Sequence, residues 1–221
     1  MQKRSRYLSA AALSMFGVKM NVLKYLEEEI HTVIMATNDE NGNPVTCAVD
    51  IMDYDENGLY FLTAKGKNFY SRLKKNGYLS LTGINGEDTM SRIAVTVCGK
   101  VKEVGSERLK RLLDKNTYMY EIYPTECSRS ALTVFYIYKG NGEWFDLSKK
   151  PIERYSFSFG FEDLKKVGYF ITDKCNACGK CLTVCPQNCI EINVKADIRR
   201  ENCLNCGNCI DTCPLKAVIR K

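Results

Sequence analysis

The chain has one histidine, His31, and one tryptophan, Trp144, in 221 residues. A lone histidine opening a β-branched run reads as structural rather than as a catalytic base. Trp144 and the many tyrosines read as core rather than as ring-stacking residues. Net charge is +6, yet no basic run exceeds three residues and no basic stripe is interleaved with aromatics. That pattern excludes a nucleic-acid surface and fits an anionic ligand or an acidic partner better. No stretch approaches the ~20 apolar residues that a membrane span needs. No G-x-G-x-x-G follows a strand and no G-x-x-x-x-G-K-[ST] occurs, so no Rossmann-type nicotinamide site and no P-loop are expected.

Cysteine is scarce over the first 174 residues, where Cys47, Cys98 and Cys127 lie without partners at metal-ligand spacing. They read as ordinary buried or half-buried thiols. The last 47 residues hold the other nine. Cys175, Cys178, Cys181 and Cys185 precede Pro186; 28 residues later Cys203, Cys206, Cys209 and Cys213 precede Pro214. Two-residue gaps let a tight turn aim three thiolates at three corners of one iron–sulfur cube. The fourth cysteine lies past the turn, points away, and ligates the other cluster. Zinc needs four ligands per site and no proline-terminated fourth cysteine, and a disulfide framework implies an oxidising compartment where clusters keep poorly. Both are the weaker alternatives. The run resembles the ligand pattern of bacterial two-cluster ferredoxins. The expected sets are Cys175, Cys178, Cys181 and Cys213 for one [4Fe–4S] cluster, and Cys203, Cys206, Cys209 and Cys185 for the second. Cys189 matches Ala217 in the repeat and reads as a small buried residue, not a ligand.

Length and composition divide the chain into an N-terminal extension (1–19), a strand-rich domain (20–148), a connector (149–168) and the cluster domain (169–221). Lys3, Arg4 and Arg6 before the apolar segment from Tyr7 to Val18 imitate a signal peptide. Ser9 and Ser14 interrupt that segment, and the clusters argue for a cytoplasmic protein. Residues 21–29 suit a short helix. His31 to Thr37, Val45 to Met52 and Leu59 to Thr63 read as a three-stranded meander, with Asn41-Gly42 as a hairpin signal. Lys65-Gly66-Lys67 opens a helix that Asn76-Gly77 ends. Tyr78 to Ile84 and Ser91 to Val104 read as strands, and Ser106 to Leu113 as a helix capped by Ser106. A hairpin over Lys139 to Gly142 joins Ala131–Tyr138 to Glu143–Phe145. Tyr169 to Thr172 and Ala217 to Arg220 bracket the cluster domain. The expected class is mainly β: a six-stranded antiparallel split β-barrel followed by a small α+β ferredoxin domain.

The order of these segments, with Tyr60-Phe-Leu-Thr-Ala-Lys-Gly-Lys67, the helix ending Leu73-Lys-Lys-Asn76 and the strand Tyr78-Leu-Ser-Leu-Thr82, resembles the FMN-binding split barrel of the pyridoxamine 5′-phosphate oxidase superfamily. A flavin mononucleotide phosphate wants cations, hydroxyls and a helix N-terminus together. The resemblance implies phosphate contacts from Thr63 and Lys67, with Lys65 assisting and Leu62 beside them. It implies a ring-lining strand at Thr46, Cys47, Ala48 and Val49, where Thr46 stands in place of the family's common arginine. Arg92 is an additional anion contact. A homodimer with the flavin at its interface is implied by resemblance alone.

Clusters pass single electrons, whereas most organic substrates take two, and flavin handles either. The expected function is a redox protein passing electrons between two [4Fe–4S] clusters and FMN, serving as a reductase of an unidentified small molecule and served by an external redox protein. The alternatives are a non-catalytic carrier or redox sensor and, more weakly, a barrel holding another flavin-like or haem-like ligand. Pyridoxamine phosphate oxidation is disfavoured, because that chemistry uses oxygen.

Overall fold

The computed structural model describes residues 21–164 and 167–221; the expectations for 1–19 lie outside them. Seven strands form one antiparallel sheet. They are β1 (Thr32–Asn38), β2 (Pro44–Asp55), β3 (Gly58–Ala64), β4 (Tyr78–Asn85), β5 (Ile93–Gly105), β6 (Leu132–Asp146) and β7 (Glu153–Phe159). Their order is β3-β2-β1-β4-β5-β6-β7, and β3 also pairs with β6. Six strands therefore close into a barrel and β7 is an added strand. Closure removes the open edges that a six-stranded sheet would expose.

Alternation sets the inside. On β1, Val33, Met35 and Thr37 are buried while Ile34 is exposed. On β3, Phe61 pairs with Ile51 of β2 and with Phe135 of β6, so one ring sits at the closure. The Phe61 and Phe135 rings lie 5.7 Å apart and the Phe69 ring 6.1 Å from Phe61. Each side chain so buried contributes roughly 1.5–3 kcal/mol. Phe69 comes from the helix α2 (Asn68–Asn76), where Phe69 and Leu73 bury one face. Gly77 ends that helix at φ 59°, its amide donating to the Leu73 carbonyl at 2.9 Å. A side chain other than glycine would pay for that left-handed geometry.

Several expectations fail for identifiable reasons. The hairpin over Lys139 to Gly142 does not exist; β6 runs straight through it. Its glycines serve close approach rather than a turn. A Cβ on Gly140 would stand 2.8 Å from the Cys98 carbonyl oxygen, and one on Gly142 2.5 Å from that of Thr96. Part of the expected connector is strand β7. The helix near Ser106 is α3 (Leu109–Lys115), headed by Arg108, not capped by Ser106. Two short helices, α4 (Met119–Ile122) and α5 (Glu126–Arg129), lie between α3 and β6, where the sequence reading assigned no element. The first helix, α1 (Val22–Tyr25), continues as a wider turn through Ile30. His31 lies just before β1 at φ 60°, not on the strand.

The described residues form two compact units: 21–81, 98–140 and 158–162 in one, and 82–97, 141–157, 163–164 and 167–221 in the other. The second contains the cysteine-rich module. There β8 (Tyr169–Ile171) pairs with β11 (Val218–Arg220), and β9 (Ile190–Ile192) with β10 (Ala196–Ile198). Helices α6 (Lys180–Thr183) and α7 (Asn208–Asp211) follow the two cysteine loops. The repeat is exact in the backbone. Positive φ recurs at Ala177 and Asn205, Gly179 and Gly207, and Asn188 and Lys216, each pair 28 residues apart. No helix among the described residues is long and apolar enough to cross a membrane.

Candidate cofactor sites

The module holds two cavities. Cys175, Cys178, Cys181 and Cys213 line one of about 370 Å³. Cys185, Cys203, Cys206 and Cys209 line the other, of about 330 Å³, together with Cys189. The three-plus-one grouping follows from the fold: each C-x-x-C-x-x-C loop wraps its own cavity, and each fourth cysteine lies at the end of a short helix beside the other. Among the described residues no three His, Cys, Asp or Glu side chains converge as a single metal ion requires. The sulfurs surround space instead, which suits a polynuclear cluster.

Backbone amides prepare these sulfurs. Those of Ala196 and Asn205 donate to Cys175 and Cys203 Sγ at 3.4 Å, and those of Cys189 and Ala217 to Cys185 and Cys213 Sγ at 3.4 and 3.2 Å. Burial opposes ionisation of Cys185 and Cys213, but amide donors after each outweigh it and hold both thiols below the ordinary cysteine value. Burial pushes Cys209 up to about 11. Cys189 is 1% exposed with its Sγ 3.4 Å from that of Cys185, so it packs against a candidate ligand. Within the same unit, Asn202 donates to the Ile152 carbonyl at 2.8 Å and Arg154 to the Leu204 carbonyl at 3.1 Å. Arg154 also pairs with Glu143. The Cys203–Cys206 loop is thereby tied to β7.

The anion seat belongs to the other unit. Thr63 is the last residue but one of β3, 4% exposed, and its hydroxyl has no partner among the described residues. Such an orphan is costly unless something bonds to it. Directly after it, Lys65, Gly66 and Lys67 are exposed, and the space where a Cβ on Gly66 would stand is open. Lys67 then heads α2 without a side-chain cap, so the first-turn amides remain free for an anion. Thr63, Lys65, Lys67 and the helix start thus fit a phosphate. Leu62 is half-buried and packs toward α3 and Met119.

On β2, pleating separates the four ring-lining candidates. Thr46 and Ala48 are exposed, while Cys47 and Val49 are half-buried and pair with the buried Met35 and Val33. Burial raises the Cys47 thiol, and the charges of Arg72 and Lys67 pull it back. Both cations thus act electrostatically on Cys47 of β2, Arg72 from α2 and Lys67 from the residue before it. Arg72 was not foreseen. It stands one helical turn past Phe69, its Nε donating to Thr37 Oγ1 at 2.8 Å. Arg92 lies in the other unit, where its carbonyl accepts from the Leu147 amide at 3.0 Å and its Nε is buried without a partner among the described residues.

His31, Tyr118 and Asp50 form a polar cluster that sequence reasoning missed. Tyr118 donates to Asp50 Oδ2 at 2.6 Å, and His31 Nε2 lies 3.1 Å from the Tyr118 hydroxyl. Burial and the Asp50 carboxylate push the Tyr118 hydroxyl well above the usual tyrosine value. Its three members come from sequence-distant segments, so no local pattern announced it.

Residues 21–137 match the family described as pyridoxamine 5′-phosphate oxidase, and residues 174–217 match the 4Fe–4S dicluster domain. No curated protein matches the chain. Among solved structures, a NimC/NimA family protein from Clostridium acetobutylicum aligns with TM-score 0.53 at 19% identity, over 62% of this chain and 90% of its own. A protein related to general stress protein 26, also from C. acetobutylicum, gives 0.48 at 20%, over 61% and 89%. A pyridoxamine 5′-phosphate oxidase-related, FMN-binding protein from Nostoc punctiforme gives 0.44 at 10%, over 66% and 94%. At such identities the likeness of the first is one of fold.

Proposed function

The chain belongs to the pyridoxamine 5′-phosphate oxidase family through residues 21–137 and carries a 4Fe–4S dicluster domain over 174–217, and from that premise we propose that it converts between one-electron and two-electron redox chemistry. Electron transfer is the role common to both parts. The observation that carries the finer reading is the pairing, on one chain, of two cysteine-lined cavities with an anion seat built from Thr63, Lys65, Lys67 and the head of α2. In this reading each cavity takes a [4Fe–4S] cluster and the seat takes the phosphate of FMN, with Arg72 supplying the cation that Thr46 does not. FMN would supply hydride or single-electron chemistry to a small organic substrate. The chain's own residues bind and orient it.

Electrons enter from an external carrier, and the Cys203–Cys206 loop, held to β7 by Asn202 and Arg154, is the part of the module tied to the sheet. A second copy of the chain covers the outward face of β1 and β2, where Ile34 pairs with Ala48 and Ala36 with Thr46 and no charged side chain intervenes. Light scattering of the Ile34→Glu variant tests that association. The converter reading is tested by rapid mixing under anaerobic conditions. Reduction of the clusters with dithionite should be followed by reduction of bound FMN at a rate independent of protein concentration. Cutting the chain at residue 163 should make that step concentration-dependent. Independent cluster and flavin signals in the intact protein would refute it.

A further inference from the structure

The two cluster cavities are related by the 28-residue repeat, but their surroundings differ in one systematic way. Lys180 lines the Cys175/Cys178/Cys181/Cys213 cavity, and Lys174 and Lys216 are chain neighbours of its lining residues Cys175, Leu215 and Ala217; the repeat-related positions in the other half of the module are Asn202, Asn208 and Asn188. All three lysines are exposed, and Lys180 lines the cavity wall. Lys174 immediately precedes the first cysteine, and the Lys216 amide donates to the Cys213 carbonyl at 3.2 Å. Leu215 lines the same wall and is 42% exposed, where its repeat mate is Gln187. Two asparagines are spent on the protein itself. Asn202 donates to Ile152 and Asn208 to the Val184 carbonyl at 3.2 Å. The three lysines form no ion pair among the described residues; Lys195 pairs with Asp173 beside Lys174, and Arg199, which donates to the Asn188 carbonyl at 3.0 Å on the other side, pairs with Glu191.

We propose that Lys174, Lys180, Lys216 and Leu215 form the docking surface for an acidic one-electron carrier protein, so that the Cys175/Cys178/Cys181/Cys213 cluster is the port of entry. The proposal rests on the converter reading above. Three exposed lysines without ion pairs, at or next in sequence to the lining of a cavity that also holds the exposed Leu215, are the composition of a steered, transient interface: charge brings the partner in and a small apolar contact seats it. Free lysines elsewhere are solvated surface; their concentration at one cavity, with asparagine at every repeat-related position of the other, is what distinguishes this face. In each encounter the carrier loses one electron and the cluster gains it.

The test uses the whole protein, with clusters and FMN, and a small acidic two-cluster ferredoxin, reduced beforehand, as the probe. The triple variant Lys174→Asn, Lys180→Asn, Lys216→Asn adopts residues that the fold already accepts at the repeat-related sites. Asparagine also tolerates the left-handed geometry of Lys216. A control variant, Lys24→Gln, Lys75→Gln, Lys110→Gln, removes the same charge elsewhere. The expected result at low ionic strength is a fall of about tenfold or more in the second-order rate of cluster reduction for the first variant only. The wild-type rate should drop steeply with salt while the variant's stays nearly flat. Iron content and reduction by dithionite should be unchanged. Equal rates in wild type and variant, equal losses in both variants, or a loss that a changed cluster potential fully explains would each overturn the proposal. Intramolecular delivery from dithionite-reduced clusters to FMN reports on the converter reading separately.

Discussion

The barrel and the cysteine-rich module bury different things. The largest fully buried side chains of the barrel and the segment before it are apolar: Phe61, Phe135, Leu26, Met35, Ile51, Leu59 and Ile137 among them. The module's buried cluster is Tyr169, Cys189, Ile190, Ala196, Ile198, Cys203, Cys209 and Val218, with Cys175, Cys181, Cys185 and Cys213 packed against it. Its strands and helices are three or four residues long. A barrel of that kind holds its shape chiefly by burial, whereas a module this small, with thiols for a core, needs a covalent staple. The iron–sulfur clusters would be that staple, and folding of the module is then coupled to loading it.

The sharpest way to break this contrast is to remove the iron. Anaerobically prepared protein should contain close to eight irons. Stripping them with a chelator should abolish amide-exchange protection across 169–221 and leave protection in β1, β3 and β6 largely intact. Equal protection with and without iron would show that the module's side chains suffice. A finer version separates ligand from packing. Cys181→Ser should leave about four irons and Cys189→Ser about eight, both measured by iron assay, because only Cys181 sits in a four-sulfur set while Cys189 is the repeat mate of buried Ala217.

Reading the sequence succeeded and failed along the same line. The cysteine runs were legible because cluster geometry is imposed by spacing within a dozen residues. So were α2 and its Gly77 stop, and the barrel's strand meander. Features set by distant partners were not. Gly140 and Gly142 look like a turn until Cys98, Thr96, Phe157 and Phe159 are brought against them. Strand β7 does alternate, as Tyr155-Ser156-Phe157-Ser158-Phe159, but Pro151 before it and the charged stretch after it gave the segment the look of a connector. Arg72 looks like one more exposed charge on a helix until Thr37 and Cys47 arrive from β1 and β2. The candidate anion seat was half legible: Thr63, Lys65 and Lys67 alternate along one short stretch of chain, but the orphaned state of the Thr63 hydroxyl is a fact of packing.

The barrel's dependence on its ligand should accordingly be milder than the module's. Thr63→Ala, Lys67→Ala and Arg72→Ala are each expected to weaken FMN binding by about 1–3 kcal/mol, the scale of a charge-assisted hydrogen bond. Fluorescence titration measures it. Riboflavin, lacking phosphate, should bind more weakly than FMN and respond little to Lys67→Ala. Equal affinity for the two flavins would move the phosphate away from the head of α2. The barrel's unfolding midpoint without flavin should change far less than the module's without iron.

The smallest effect concerns the barrel's own polar staple. Tyr60 and Tyr136 stack with ring centroids 4.3 Å apart and both donate to Asp55, at 2.6 and 2.9 Å. Burial works against the Asp55 carboxylate, but the two hydroxyls and the Asn57 amide outweigh it and hold Asp55 below the usual carboxylate value. Burial, aided by Asp55, pushes Tyr60 up to about 12. The signs at the two ends of the pH scale are opposite in direction and alike in consequence. The folded state binds fewer protons at Asp55 than the unfolded chain, so that contribution is present above the ordinary carboxylate value of about 4 and fades as pH falls through the lower folded one. At Tyr60 the folded state keeps its proton longer, so that contribution is full below about 10 and is lost as pH rises through about 12. The urea midpoint of the barrel should therefore be flat between these limits and fall beyond each. Asp55→Asn should soften the acid fall and bring the Tyr60 titration, followed by ultraviolet absorbance, down toward 10. An unchanged phenol titration in Asp55→Asn would mean that burial alone sets Tyr60, and that the barrel, unlike the module, owes nothing to a polar tie at this point.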